Sequence, residues 1–250
     1  MDKYTIKETF ELPSKGSIYS TTVAPRVTLR SMTTQDEMTR LSPSENSFEP
    51  MCKLIDDCMI EFPGISSYDM CLGDYQFLLY RLRAITYGEE YTMGSVCPYC
   101  KSQHVEKVNL SELAPINLEE DIKKYQRFEL PVTKKTIEIN FQTPRMLDSI
   151  QAREKEFRRK HKEVTQDYTL VFTLEELINT IDGRKVDPIT LEEWIKQLPM
   201  KDTNIIIQSA SKLNEAVGMN TTVEQVCDVC GLNFNTKVRA DAEFFRPALH

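Results

Sequence analysis

The chain has no apolar run approaching the roughly 18 residues that a membrane-spanning helix needs. Its first residues, MDKYTIKETFELPSKG, lack the apolar core of a secretory signal, so the expectation is a cytoplasmic chain with no membrane-spanning segment. Positive charge is in deficit: 31 Lys and Arg against 38 Asp and Glu give a net charge of -7, which argues against a broad DNA-binding surface and suits a chain that meets protein partners. Imidazoles are scarce, namely His104, His161 and His250. No GxSxG, HExxH, GxGxxG or Walker A sequence occurs. His161 lies inside the basic run RRKHK and His250 is the last residue, so neither reads as a positioned base. Paired acids such as Asp56 with Asp57 and Glu192 with Glu193 are ordinary on solvated helix faces. The expectation is a protein without enzymatic activity or a small-molecule substrate.

What is present is an ordinary globular composition, 40% hydrophobic and 28% charged over 250 residues, enough to bury a sizeable core without a metal. The distinctive feature is cysteine. There are seven, an odd number, and four of them form two CxxC pairs, VCPYC ending at Cys100 and VCDVC ending at Cys230. In a reducing compartment such pairs read as metal ligation or redox chemistry before a disulfide framework. A CxxC turn holds two thiolates close together with backbone amides free to donate to sulfur, and two such turns supply four tetrahedral ligands. Cys97, Cys100, Cys227 and Cys230 are therefore the candidate ligands of one structural Zn2+, with iron as the other metal that thiolates hold. Gly231, directly after Cys230, suits a tight turn. Such a site requires residues 101–226 to leave the metal centre, fold and return.

Other readings stand beside this one. CPYC resembles the turn of a thiol oxidoreductase, but that motif follows a strand and starts a helix, whereas KSQHVEKVNL reads as another strand. The cysteines could be unligated, or two separate sites could be completed by a partner. His104 could replace one ligand, although it reads rather as a solvent-facing strand residue. Cys52, Cys58 and Cys71 sit in apolar helical contexts and read as small core residues.

Along the chain, TIKETFELP and TTVAPRVTLR read as extended segments separated by PSKG, with Gly16 at positive φ. A short helix follows Met32, capped by Thr33 or Thr34, with Glu37 as the partner three residues after Thr34. MCKLIDDCMIEF places Met51, Leu54, Ile55, Cys58 and Met59 on one helical face. Leu72, Tyr75, Leu78, Leu79, Leu82 and Ile85 form a stripe on a deeply packed helix that stops near Gly88 and leads directly to the first CxxC. HVEKVNL reads as a strand and ELPVTKKTIEINFQTP as a hairpin reversing at Thr133 to Lys135. Pro144 precedes a charged helix. VTQDYTLVFTLEELINTID is β-branched and aromatic in its first half and helical in its second. DGRK is a turn, Pro188 opens a helix that Pro199 closes, DTNIIIQSASKLNEAV forms a helix ending at Gly218, and NFNTKVRADAEFFRP is a strand and a return.

These elements give an α+β fold, mainly helical with small antiparallel β elements and a split four-cysteine, zinc-ribbon-like module. The expected division is residues 1–110, with an N-terminal extended segment, helices and the first knuckle; 111–222, an inserted, mainly helical region; and 223–250, the second knuckle and a C-terminal return. The run REKEFRRKHKE reads first as a solvated helix face with pairs such as Glu154 and Arg158, then as a protein-docking or nucleic-acid surface.

ELPSKGSIY, VTLRSMTTQDEMTRL and GDYQFLLYRLRAITYGEEYTMGSVCPYC, with VCDVCGLNF near the end, together resemble the baseplate hub subunit or hub assembly family of T4-like tailed bacteriophages. The resemblance implies a non-enzymatic virion or assembly protein that contacts other baseplate hub or wedge proteins. It places the protein in the virion tail baseplate, and in the host cytoplasm during assembly. The features it carries over are the helix from Leu72 to Ile85, the turn Thr86 to Gly88 and the four paired cysteines. A nucleic-acid-binding zinc-ribbon regulator and, below it, a thiol oxidoreductase are the alternatives.

Overall fold

The computed structural model describes residues 4–116, 118, 122–240 and 244–245. The chain opens with β1 (Lys7–Glu11) and β2 (Arg26–Arg30), paired antiparallel from Lys7↔Arg30 to Glu11↔Arg26. The PSKG reversal between them uses Gly16 at φ 72°, and a Cβ there would stand 2.4 Å from the Val23 carbonyl oxygen. Both the conformation and the close approach require glycine.

Helix α1 (Thr34–Arg40) is capped by Thr33, and the reciprocal partner is Asp36, which accepts from the Thr33 N–H at 2.7 Å. Glu37, the partner that the Thr34 alternative implies, instead pairs with Arg40 at 2.6 Å. Asp36 wins because Arg30 on β2 grips it through both terminal nitrogens, at 2.6 and 3.0 Å, a tie invisible to local sequence.

Helix α2 (Glu49–Cys58) buries Cys52, Leu54, Ile55 and Cys58, while Met51 and Met59 are only partly covered. No side chain of its own segment caps it. Asp148, far along the chain, accepts from the N–H groups of Ser47, Phe48 and Glu49 at 2.9, 3.1 and 3.0 Å.

Helix α3 (Leu72–Tyr87) is the centre of the molecule. Tyr75, Leu78, Leu79, Leu82 and Ile85 are buried as the stripe predicts, and so are Phe77, Tyr80 and Arg83 on the other sides. It stops at Gly88, φ 93°. Its Asp74 is fully buried and accepts from the Ser14 N–H at 3.0 Å, the Ser14 hydroxyl, and the Tyr19 hydroxyl at 2.6 Å, which pins the PSKG loop to the helix.

The helix does not run directly into the first CxxC. A strand intervenes: β3 (Glu90–Val96) pairs antiparallel with β4 (Gln103–Asn109), and CPYC is the turn between them. Met93, Gly94 and Ser95 have little strand propensity, so only the alternation of Tyr91, Met93 and Ser95 as buried positions marks β3.

The middle of the chain is closed off by β5 (Pro115–Ile116), which pairs with β9 (Gly218–Met219). Inside lie α4 (Lys123–Gln126), β6 (Arg127–Glu129) and β7 (Thr136–Ile139), with the reversal at Lys134, φ 56°. Helix α5 (Pro144–Lys160) starts at a Thr143 cap with Pro144 in its first turn. The ambiguous stretch resolves against its propensities: the aromatic, β-branched part is α6 (Thr169–Leu177), and the end is β8 (Ile178–Ile181), the third strand beside β7. Tertiary burial decides this, because Phe172, Leu174 and Leu177 face the core while Ile178 pairs with Ile139. Helix α7 (Pro188–Lys196) is capped by Asp187, and Pro199 begins α8 (Met200–Glu215) as well as following α7. Strands β10 (Thr222–Val226) and β11 (Asn233–Lys237) form the last hairpin. Part of the expected C-terminal return lies outside the described residues, but Phe244 and Phe245 are buried, Phe244 with its ring 4.8 Å from that of Tyr80.

The fold is α+β: among the described residues eight α-helices carry more of the chain than the strands, which are more numerous but short and in small antiparallel sheets. One apolar cluster surrounds α3, with Leu29, Leu54 and Phe244. A second lies between the β6–β7–β8 sheet and helices α6 to α8, with Ile137, Leu174 and Ile206.

Candidate metal centre

The two CxxC segments are built alike. In each, a strand leads in, the first cysteine donates its N–H to a carbonyl five residues on, and the chain returns as a strand. Cys97 bonds Ser102 at 2.9 Å and Cys227 bonds Leu232 at 3.0 Å; the N–H groups of Lys101 and Gly231 close the turns onto Cys97 and Cys227 at 3.0 and 2.8 Å. Neither pair starts a helix, the context that a thiol oxidoreductase turn needs.

The turns demand a left-handed residue just after the second cysteine. Gly231 supplies it at φ 72°, as the sequence suggests, but the first turn uses Lys101 at φ 64°, with its Nζ 2.9 Å from the Pro98 carbonyl oxygen. Replacing Lys101 with glycine is expected to stabilise the protein by about 1 kcal/mol, and replacing Gly231 with alanine to destabilise it by about as much. A Cβ at Gly231 meets nothing within 4 Å, so the effect is purely conformational. Denaturant midpoints of the two variants moving the same way would contradict this.

The hairpins face one another about an approximate twofold axis. Ser95 bonds Gln225 at 2.6 Å, His104 stacks 5.8 Å from Phe234, and Cys97 lies 3.8 Å from Cys230 as Cys100 lies 3.5 Å from Cys227. Corresponding strand residues thus meet each other across the interface, while the first cysteine of each turn meets the second cysteine of the other. The four sulfurs lie within 4.8 Å of one another and could hold a metal ion. Ligands at about 2.3 Å from a tetrahedral metal stand about 3.8 Å apart, which the two cross-hairpin sulfur distances match. Cys97 and Cys227 are buried while Cys100 and Cys230 are exposed.

Electrostatics favours a cation there. The Ser102 hydroxyl, followed by the backbone N–H groups of Cys230 and Val229, pulls the Cys227 thiol down to about 5. Cys230 moves the other way, to about 12: the backbone bond involving Leu232 lowers it, but burial and the neighbouring sulfurs outweigh that bond. Four sulfurs this close cannot all ionise unless a positive charge sits between them.

Sequence reasoning missed the support of these sulfurs. Ser102 Oγ lies 3.0 Å from Cys100 Sγ, 3.2 Å from Cys227 Sγ and 2.8 Å from His104 Nε2. His104 is buried at 7% exposure, not solvent-facing, because β4 turns it inward opposite Phe234; it is outside the sulfur cluster. The only available signal was position, two and four residues after Cys100. Removing such a supporting hydroxyl weakens metal binding by about 10- to 100-fold. Ser102→Ala is therefore expected to lose metal to a competing chelator at correspondingly lower chelator concentration; an unchanged competition curve would remove Ser102 from this role.

Cys52, Cys58 and Cys71 are buried away from the cluster, and burial pushes the Cys58 and Cys71 thiols up to about 12, the state of inert core cysteines. On α5, Arg158 pairs with Glu154 at 2.9 Å and Lys160 with Glu156 at 2.6 Å, so much of the basic run is neutralised within its own helix. No helix among the described residues is long and apolar enough to cross a membrane.

The family model described as T4 bacteriophage base plate protein matches residues 3–246, nearly the whole chain. The chain belongs to the T4 bacteriophage base plate protein family. That membership supports a structural role in the phage baseplate, with contacts to other phage proteins and a place in the virion tail. No curated protein and no solved structure matches the chain significantly.

Proposed function

We propose that this baseplate protein is a component or assembly factor of the baseplate hub that acts through contacts with other hub or wedge proteins and is held together by one structural Zn2+ on Cys97, Cys100, Cys227 and Cys230. The observation that carries the metal half of the reading is the convergence of four sulfurs from two matching hairpins. Four thiolates make a closed site with no position for substrate, as structural zinc requires, and the absence of other redox groups in the sequence favours zinc over iron. The hub half rests on the quoted sequence resemblance together with family membership. In this reading residues 1–110 and 223–250 form the body with its split module, residues 111–222 are an insertion that presents helices to neighbours, and assembly takes place in the host cytoplasm. The chemistry argues against catalysis, since the exposed sulfurs face one another and not a cleft.

Mass spectrometry of purified assembly intermediates and of mature virions tests the placement. The chain in both is a structural subunit, in intermediates alone an assembly factor; absence from both would defeat the hub reading. A salt-dependent nucleic-acid titration addresses the regulator alternative, for which tight binding lost on neutralising Arg158, Arg159 and Lys160 would be required.

A further inference from the structure

Among the described residues each cysteine hairpin is only two strands wide, with no third strand on either edge. The bonds from Leu110 N–H to the Glu89 carbonyl and from Cys97 N–H to the Ser102 carbonyl fix the phase of the β3–β4 ladder. With that phase, Thr92, Gly94 and Val96 turn both N–H and C=O away from β4. By the same alternation, set by Cys227 with Leu232 and Val238 with Thr221, Lys237 turns its backbone away from β10. A groove of about 670 Å³ runs between these two edges, with Thr92, Gly94 and Val96 on one wall and Lys237 and Arg239 on the other.

Three features describe what the groove would suit. Unpaired strand-edge groups are a template for another extended backbone. Gly94 puts no side chain over that edge. Among the described residues, Lys237 and Arg239 are exposed and make no ion pair and no acidic residue lines the groove, although the chain as a whole carries a net charge of -7. Glu90, the nearest acid on β3, is taken by Lys107 at 3.1 Å.

We propose that the groove between β3 and β11 receives an extended, acidic segment of another baseplate protein as an added strand. Its backbone bonds Thr92, Gly94 and Val96, and its carboxylates meet Lys237 and Arg239. The metal centre at the end of both hairpins holds the two walls in place. The proposal rests on the reading that the chain works through contacts with phage proteins, and it is independent of whether those contacts lie in the hub. A nucleic-acid strand would use the two cations but has no need of the strand edge, which is why a peptide is favoured.

The test follows backbone amide resonances of the metal-loaded full chain during titration with a capped octapeptide of alternating aspartate and valine. The expected result is displacement and slowed hydrogen exchange of the Thr92, Gly94 and Val96 amides. N-methylation of alternate peptide amides, and separately the double variant Lys237→Glu with Arg239→Glu, should each weaken binding about tenfold or more, with metal content unchanged. Silence of the three amides at millimolar peptide would overturn the proposal. So would equal binding of the N-methylated peptide, or tighter binding of a single-stranded oligonucleotide at the same residues. If the amides stay silent while the chain is found in baseplate intermediates, the groove assignment alone fails; if they respond while the chain is absent from intermediates and virions, the hub placement alone fails.

Discussion

Cys97→Ser is expected to abolish metal retention and to release the cysteine ends of both hairpins while leaving the rest of the fold standing. At the cysteine ends the apolar cluster is Cys97, Cys227 and Phe234, too little to hold the two turns face to face without a metal, whereas Tyr91, Met93 and Val108 at the other end of β3–β4 belong to the cluster around α3. Beyond the sulfurs, the hairpins touch through the Ser95–Gln225 bond, the His104–Phe234 stack and the contact of Ser102 with Cys227. A structural zinc contributes about 10–16 kcal/mol in small peptides, so its loss outweighs those contacts. The two larger apolar clusters lie around α3 and against the three-stranded sheet and do not depend on the sulfurs. Native mass spectrometry should therefore show one metal ion in the parent chain and none in the variant. Hydrogen exchange should rise over 95–104 and 225–234 while α3 and β7 stay protected. Full retention of the metal in both Cys97→Ser and Cys230→Ser would defeat the shared site. Lowering the pH should release the metal as well, because protons compete for the thiolates.

The second large effect is expected at Gly73. A Cβ there would lie 2.1 Å from the carbonyl oxygen of Val217 and 3.0 Å from Cα of Gly218, so the first turn of α3 and the entry to β9 touch backbone to backbone. This contact lies where the two larger clusters meet, with Cys71 and Val217 in one and Tyr75 and Met219 in the other. Neither side has a flexible side chain that could move aside. Alanine must displace the backbone, and Asp74, one residue on, is fully buried with three donors on its carboxylate. Gly73→Ala should cost about 3 kcal/mol, the upper end for overpacking. For a chain of this size that lowers the melting temperature by about 6–12 °C. Gly94→Ala is the control, since its Cβ would meet only the His104 carbonyl oxygen at 4.0 Å and leave the melting temperature nearly unchanged. Equal melting temperatures for the two variants would contradict the close approach.

Local signals are legible in this sequence wherever one residue type has one physical use. Gly16 and Gly88 mark turns because only glycine takes positive φ without strain, Pro144 and Pro188 mark first helical turns, and the stripe from Tyr75 to Ile85 marks a helix because its period is 3.6. The paired CxxC segments mark a candidate ligand set because two thiolates at that spacing have few other uses. What the sequence could not decide is everything set by a neighbour distant along the chain. The stretch TLVFT is a helix and INTI a strand because β7 offers an edge and the second cluster a face, and neither is adjacent in sequence. Asp148 caps a helix a hundred residues away, and Gly73 is indispensable only because Val217 lies against it. His104 faces inward because the opposite hairpin brings Phe234 over it. Most of all, that the sulfurs of Cys97 and Cys100 meet those of Cys230 and Cys227 depends on the intervening chain folding into its own layer and closing through the β5–β9 pair. Composition and period act within a few residues, whereas such contacts arise only once burial has folded distant segments together.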